Sequence, residues 1–383
     1  MEMKTLGTVA TYINGRAFKP SEWEATGKPI IRIQNLTSES APYHYSTGAF
    51  EEKYIVHNGD LLFAWSASLG AHIWKGRDAW LNQHIFRVVP NVGINQDYLY
   101  YYLLTVVAEL YAKTHGSGMV HITKTPFMNT PIPVPSLSEQ GRIVARIEEL
   151  FSRLDAGVET LNKTKAQLAV YRQAVYSEAF SSLENTRKIT EFFDISSGLT
   201  KNSDRNAFPI KMPYLRVANV YYNHLDLGEI KQIGVKESEI PEKKLKKGDL
   251  LFVEGNGSKE QIGRVAIWDG SISPCLHQNH IIKGRPKGSM LPKYALFYLI
   301  SGFGREQILC VASSTSGLYT LSTGKIENLM IPYCGINEQQ IIIDQIEEKL
   351  SVCDSIEQTV DAALQQAEAM RQSILKQAFE GRL

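Results

Sequence analysis

The sequence predicts an α+β protein built as two copies of one unit, each a mixed globular part followed by a long helix. Three observations predict it. A colinear repeat runs through the chain, a Gly-Asp turn opens a short apolar run at the same place in each copy, and a proline-free heptad stretch follows a proline-rich exit twice. The 383 residues suffice for two or three domains at roughly 150 residues each.

The repeat is the strongest of these signals. Ile132-Pro133 returns as Ile331-Pro332, an offset of 199 positions. The same offset joins Glu139-Gln140 to Glu338-Gln339, Asp155 to Asp354, Arg172-Gln173 to Arg371-Gln372 and Ala179-Phe180 to Ala378-Phe379. Upstream the offset shrinks as loops differ in length. His84-Ile85 matches His280-Ile281, Gly59 to Phe63 matches Gly248 to Phe252, and Pro29 with Arg32 matches Pro213 with Arg216.

Taken in order, each copy opens with short strands. YIVHNGDLLFAW and KKLKKGDLLFVE read as a turn into a buried strand. YLYYYLLTVVAELYAKT and KYALFYLISGFGREQIL carry apolar residues at helical spacing. Gly/Ser-rich turns, HGSGMVHIT and SSTSGLYTL, come next, and the exits TPIPVPS and MIPYCG end the globular part. The expected division is 1–135 and 187–335 for the globular parts, 136–186 and 336–383 for the long helices.

Ser138 and Asn337 are the expected helix caps. Ile147, Leu154, Leu161, Leu168 and Val175 recur at seven-residue steps, with Ile143, Leu150 and Tyr171 as the second seam position. The second copy gives Ile346, Cys353, Val360, Ala367 and Ile374, with Ile342, Ile356 and Met370; Gly157, Thr164 and Lys349 interrupt the pattern. Two such helices in one chain would most simply pair with each other. Antiparallel pairing would hold the globular parts apart as a ruler.

Composition excludes several classes. Apolar residues make up 43% and charged residues 21%, and no run of 18 apolar residues offers a membrane span. The first residues lack the apolar core of a secretory signal. Cys275, Cys310, Cys334 and Cys353 form no CxxC pair, so disulfides are not expected and a cytoplasmic location is. No phosphate-binding P-loop, G-x-S-x-G elbow, H-E-x-x-H helix, P-D…E-x-K nuclease pattern or N-P-P-Y methyltransferase loop is present. Cys275, His277 and His280 are the one cluster to weigh for metal; their counterparts are Ala79, Leu81 and His84, which speaks against it. Net charge is only +1, yet residues 187–335 carry 20 basic and 14 acidic residues, while 336–383 carry 4 and 9. A basic third segment is masked by an acidic end, a weak pointer to nucleic acid.

The chain resembles the specificity subunits of type I restriction-modification systems. The carrying residues are LGTVATYINGRAFKPSEW, both GDLLF strands, PIPVPSLSEQGRIVARIEELFSRLD with its second copy IPYCGINEQQIIIDQIEEKLSVCDS, and the ending RQSILKQAFEGRL. The likeness covers essentially the whole chain. It implies two target recognition domains joined by a long antiparallel two-helix coiled coil with a pseudo-two-fold repeat. It further implies double-stranded DNA as ligand, two methyltransferase subunits and restriction/translocase subunits as partners, and no catalysis or cofactor in this chain. S-adenosylmethionine would sit on the methyltransferase, and no membrane is involved. The second copy departs from KPSEWEATG, with KNSDRNAFP in its place, so its loop there would read DNA differently. A seven-residue insertion in both helices should then change the unread gap between half-sites; a variant that still prefers the original gap would refute the ruler.

Candidate DNA contacts combine basic, amide and small polar residues in loops. In the first copy they are Arg16 and Lys19 (beside Phe18 and Trp23), Ser66 and Ser68, Gln83 and His84, Ser117 and Lys124. In the second they are Lys201 and Arg205, Asn256, Ser258 and Lys259, Asn279 and His280, Ser314, Thr315 and Ser316, and Lys325. The run Lys243, Lys244, Lys246 and Lys247 offers at most generic phosphate contact. Against DNA recognition stands a different class, a helical scaffold that presents two protein-binding domains; weak salt dependence would favour it.

Overall fold

The computed structural model describes residues 2–38, 40–113, 120–121, 124–315 and 318–383; side chains at 67, 109–113, 120–121, 124, 256, 313–315 and 318 are not among those described. Contacts divide the chain into two units, Met1–Asn162 with Asp361–Leu383, and Lys163–Val360. The division falls inside the two long helices, Leu137–Phe180 and Ile336–Phe379, each of 44 residues.

In the first unit a four-stranded antiparallel sheet has the spatial order Ala10–Asn14, Ile85–Pro90, Leu61–Ala64, Gly70–Ile73. A second sheet runs His44–Ser46, Lys28–Ile31, Ala79–Leu81, Ile55–Val56, and its Lys28–Ile31 and Ala79–Leu81 strands are parallel. The second unit repeats this plan. Phe193–Ser197, Ile281–Pro286, Leu250–Val253 and Val265–Ile267 form the antiparallel sheet, and Ile210–Leu215 lies parallel to Leu276–His277 in the other.

The GDLLF runs are apolar throughout because alternate residues enter different cores. Leu61 and Phe63 pack with Phe86, Leu99 and Leu103, whereas Leu62 packs with Ile31, Val56 and Leu81. Likewise Leu250 and Phe252 join one cluster and Leu251 and Val253 another. The preceding glycines hold φ of +92° and +93° at Gly59 and Gly248, which only glycine adopts freely. The carboxylates of Asp60 and Asp249 each accept a backbone amide at 2.8 Å, from His57 and Lys246, closing the turn.

The recurring glutamine of the exit motif fastens helix to globular part. Gln140 and Gln339 are fully buried. Each accepts the amide at the foot of the globular helix, from Asn95 or Leu291, at 2.8 Å. Each also donates at 2.9 Å to the carbonyl at the exit turn, Pro135 or Cys334.

Two expectations about the long helices change. Ser138 and Asn337 lie inside the first turn rather than at the caps. Ser136 takes the cap position, its hydroxyl 3.3 Å from the Glu139 amide, and Gly335 precedes the second helix. The second buried stripe follows the first by four residues, not three. Buried in it are Val144 and Phe151 on one helix and Ile343, Leu350 and Ala378 on the other, with Val158, Lys165, Arg172, Ala179, Glu357, Leu364 and Arg371 half-buried along the same stripe. Tyr171, Ile356 and Met370 are therefore exposed, at 49%, 40% and 54%. The charged members explain the mismatch, since arginine buries its aliphatic stem while its head pairs. In the first unit Arg371 pairs with Asp155 and lies 4.5 Å from the Phe151 ring. In the second, Arg172 bridges Asp354 (2.7 Å) and Glu357 (2.8 Å), and Lys349 pairs with Glu178 at 2.9 Å. In the second unit the partners descend along one helix as they ascend along the other, so the pairing there is antiparallel. Ile143, Ile147, Leu168, Val175, Ile346, Cys353 and Val360 are buried, and Leu150, Leu154, Leu161, Ile342 and Ile374 half-buried.

Candidate nucleic-acid interface

In each unit three loops converge where the antiparallel sheet meets the parallel strand pair. In the first, the Trp65 amide donates to the His84 carbonyl (3.1 Å), and the Gln83 amide to the Arg16 carbonyl (2.8 Å). The Trp65 indole donates to Asn14 at 3.3 Å. Ser66–Ala67 pairs with Val120–His121, which brings the loop after the central strand to the edge of the Gly/Ser-rich turn. In the second, the Glu254 amide donates to the His280 carbonyl (2.9 Å), Leu321 to Glu254 (2.7 Å) and Asn279 to Leu199 (2.9 Å). Gly255–Asn256 pairs with Leu318–Thr320, which pairs in turn with Ser313–Thr315.

Glycine makes this convergence possible. A Cβ at Gly15 would stand 2.0 Å from the Asn82 carbonyl oxygen, and one at Gly198 2.2 Å from that of His277. The sequence signal was the shared Gly of ING and SSG, which the repeat alignment passes over because its neighbours differ.

The candidate side chains divide by environment. Lys19, Ser68, Gln83, Lys201, Lys259 and His280 are exposed, and His84, Asn279, Ser258 and Lys325 half-buried. His84 has φ of +72°, a strained value for a side-chain-bearing residue, and packs edge-on to Trp65 with ring centroids 4.8 Å apart. His280 instead meets the Glu254 carboxylate at 2.7 Å. Lys325 reaches the Thr320 carbonyl at 3.4 Å. Ser117 and Ser316 lie outside the described residues, as do the side chains of Lys124, Asn256, Ser314 and Thr315.

Three candidates are taken up by the fold itself. The Arg16 guanidinium sits 3.9 Å from the Phe50 ring centroid and 4.6 Å from that of Phe18, and pairs with Glu22 at 2.8 Å. The Glu22 carboxyl is held below its ordinary range by the Lys19 amide and by Arg16. Arg205 forms a two-pronged pair with Glu239 (2.9 and 3.0 Å) and donates to the Thr200 carbonyl at 2.6 Å. Ser66 is 4% exposed, so its hydroxyl does not face solvent. Among the lysine run, Lys243 donates to the Ser197 carbonyl at 3.0 Å.

Metal chemistry finds no centre among the described residues, where no three His, Cys, Asp or Glu side chains converge. Cys275 and His277 are buried while His280 turns to Glu254. His277 Nδ1 lies 2.8 Å from the Ile281 carbonyl. A carbonyl only accepts, so Nδ1 carries the proton and Nε2 is a bare acceptor. Burial lowers the His277 pKa to about 3, so the ring is neutral.

The duplication is also what comparison with known proteins finds. The family model of the type I restriction modification DNA specificity domain matches residues 1–168 and, a second time, 183–366. The chain belongs to this specificity family. It is 25% identical over 412 residues to the type I restriction enzyme EcoBI specificity subunit of Escherichia coli, covering 99% of this chain and 85% of that protein. The EcoKI specificity subunit of Escherichia coli strain K12 is 28% identical over 286 residues, 70% of this chain and 61% of its own length. Two solved structures share the fold. A chain from a type I R-M system studied for complex assembly has a TM-score of 0.69 at 18% identity, covering 100% of this chain and 98% of that one. The HsdS subunit from Thermoanaerobacter tengcongensis has a TM-score of 0.50 at 18% identity, with 100% and 97% covered. The specificity family thus accounts for the α+β fold, its duplication and the two long helices. No helix among the described residues is long and apolar enough to cross a membrane.

Proposed function

We propose that this chain is the sequence-reading subunit of a type I restriction-modification complex. It binds double-stranded DNA, each unit reading one half of a bipartite target, and directs adenine methylation by two methyltransferase subunits. Restriction/translocase subunits join for cleavage. The chain performs no catalysis itself, and S-adenosylmethionine binds the methyltransferase. The observation that carries this reading is the duplicated loop convergence, with the same backbone connections in both units and different side chains on them. Two half-sites of different sequence call for that combination, because the scaffold must repeat and the reading groups must not. A scaffold for two protein partners would not need the exposed lysines and amides that the loops present in both units.

Co-expression with the methyltransferase encoded beside it, followed by mapping of modified adenines, tests the reading. A bipartite motif with a fixed unread gap, lost when this chain is omitted, is the expected result. Unmodified DNA despite a stable complex would overturn it.

A further inference from the structure

Each unit carries an arginine at the C-terminal end of its parallel strand pair: Arg32 after Lys28–Ile31, and Arg216 after Ile210–Leu215. Their backbones are held alike. The Arg32 amide donates to the Asn35 side chain at 3.0 Å and the Arg216 amide to Asn219 at 2.8 Å. Both asparagines are buried and fastened in turn to loop carbonyls, Asn35 to Ala41 and Pro42, Asn219 to Asp226 and Glu229.

The guanidinium groups differ. Arg216 Nη2 meets the Glu229 carboxylate at 2.9 Å and the Glu229 carbonyl at 3.3 Å. Arg32 has no carboxylate or carbonyl partner among the described residues; its Nε, like that of Arg216, is buried without a hydrogen bond. Its nearest ring is Trp23, with the centroid 5.8 Å from the guanidinium carbon. Trp23 is 38% exposed and stacks on His44, with rings 4.0 Å apart and 10° from parallel. The other arginines of these loops, Arg16 and Arg205, have Glu22 and Glu239. Of Arg16, Arg32, Arg205 and Arg216, Arg32 alone has no carboxylate partner among the described residues. A half-buried guanidinium left unpaired is costly unless an external anion or acceptor completes it. The Arg16 segment and Asn82 border the same strand ends, through the Arg16–Asn82 bridge and the Asn82 amide on the Ile31 carbonyl at 3.3 Å.

We infer that Arg32 is a DNA-contacting residue of the first unit, and that Arg216, neutralised by Glu229, is not its equivalent in the second. The inference rests on the sequence-reading function proposed above. A planar fork of donors beside an exposed indole suits the paired acceptors of DNA, a guanine edge or a backbone phosphate.

The test uses the full complex with its methyltransferase subunits and a duplex carrying the mapped target. Arg32→Gln should weaken target binding roughly ten- to hundredfold, whereas Arg216→Gln should change it by less than about threefold, in the range of near-neutral contacts. A base contact would relax one position of the half-site read by the first unit. A phosphate contact would weaken all duplexes alike and reduce the salt slope by about 1. Both outcomes support the inference. A second measurement needs no variant. With phenylglyoxal on the unaltered complex, Arg32 should react when DNA is absent and be protected by the target duplex, with Arg216 unchanged by DNA. Wild-type affinity in Arg32→Gln, or equal Arg32 reactivity with and without bound target, would overturn the inference. A wild-type complex that marks no bipartite site would overturn the recognition reading itself, and this inference with it.

Discussion

His277 makes the second unit sensitive to acid at a position where the first carries leucine. It is fully buried, donates from Nδ1 to the Ile281 carbonyl, and leaves Nε2 without a partner. Burial is the main cause that lowers its pKa from 6.5 to about 3. Between those values the unfolded chain holds a proton that the folded chain does not, so stability falls as pH drops through 6.5. At pH 5 the loss is about 2 kcal/mol relative to pH 7.5. The first copy has Leu81 at this place, equally buried, which makes His277→Leu a replacement the architecture already contains. The substitution deletes the orphan acceptor and one hydrogen bond of about 1 kcal/mol, effects of opposite sign. The variant should match wild type within about 1 kcal/mol at pH 7.5 and exceed it by about 2 kcal/mol at pH 5. Hydrogen exchange of peptides spanning residues 276–286, read at both pH values, isolates this region from the rest of the chain. Parallel losses in wild type and variant between pH 7.5 and 5 would refute the reasoning.

Other outcomes follow from the same contacts. Lys283 is 2% exposed, and burial is the main cause that lowers its pKa from 10.5 to about 8. The unfolded chain holds the extra proton between those values, so wild-type stability should rise from pH 8 to 10.5; Lys283→Met should flatten that rise in alkaline urea melts. Gln339→Ala leaves the Leu291 amide and Cys334 carbonyl without their partner and should cost about 2–4 kcal/mol by urea unfolding, with Gln140→Ala costing a similar amount. Gly15→Ala drives a Cβ into the Asn82 carbonyl and should cost about 2 kcal/mol or more. In a methylome it should impair one half-site and leave the other intact.

The duplication, the buried GDLLF strands and the long helices were legible because each is written in local spacing. Gly-Asp before an apolar run needs only the turn chemistry of adjacent residues, and the helices need only absence of proline and a seven-residue step. The second helix stripe was not legible. Arg172, Glu357 and Arg371 are charged, so a hydrophobic pattern passes them by, and their burial depends on which partner faces them across the pair. The caps were missed by two residues because Ser136 and Ser138 are equally good capping residues in sequence. At the loops, sequence brought forward Arg16 and Arg205 as basic residues, but whether a cation is available depends on where distant acids land. Glu239 is 34 residues from Arg205. Trp23 and His44, 21 positions apart in the chain, stack only because Pro20–Glu22 and His44–Ser46 are folded side by side.

Position by position, the two copies share a set of internal contacts and differ in the side chains on their loops. The contacts that recur are internal: Gln140 and Gln339 at the helix feet, Asp155–Arg371 and Asp354–Arg172 between helices, Asn35 and Asn219 under the arginines, Gly15 and Gly198 at the crossing. The loop convergence is among the places that differ. Trp65 corresponds to Glu254 in the repeat, Arg16 to Leu199, and Arg32 without an acid among the described residues to Arg216 with one. Had the two units bound the same ligand, the recurring fold would have allowed the same side chains there. At the loop convergence the divergence changes charge pairing, since Arg216 has Glu229 and Arg32 has no carboxylate partner among the described residues. Two units that share a frame but differ in available cations and amides should read different half-sites, so under the proposed function the methylome motif is expected to be asymmetric, and a palindromic motif would refute this reasoning.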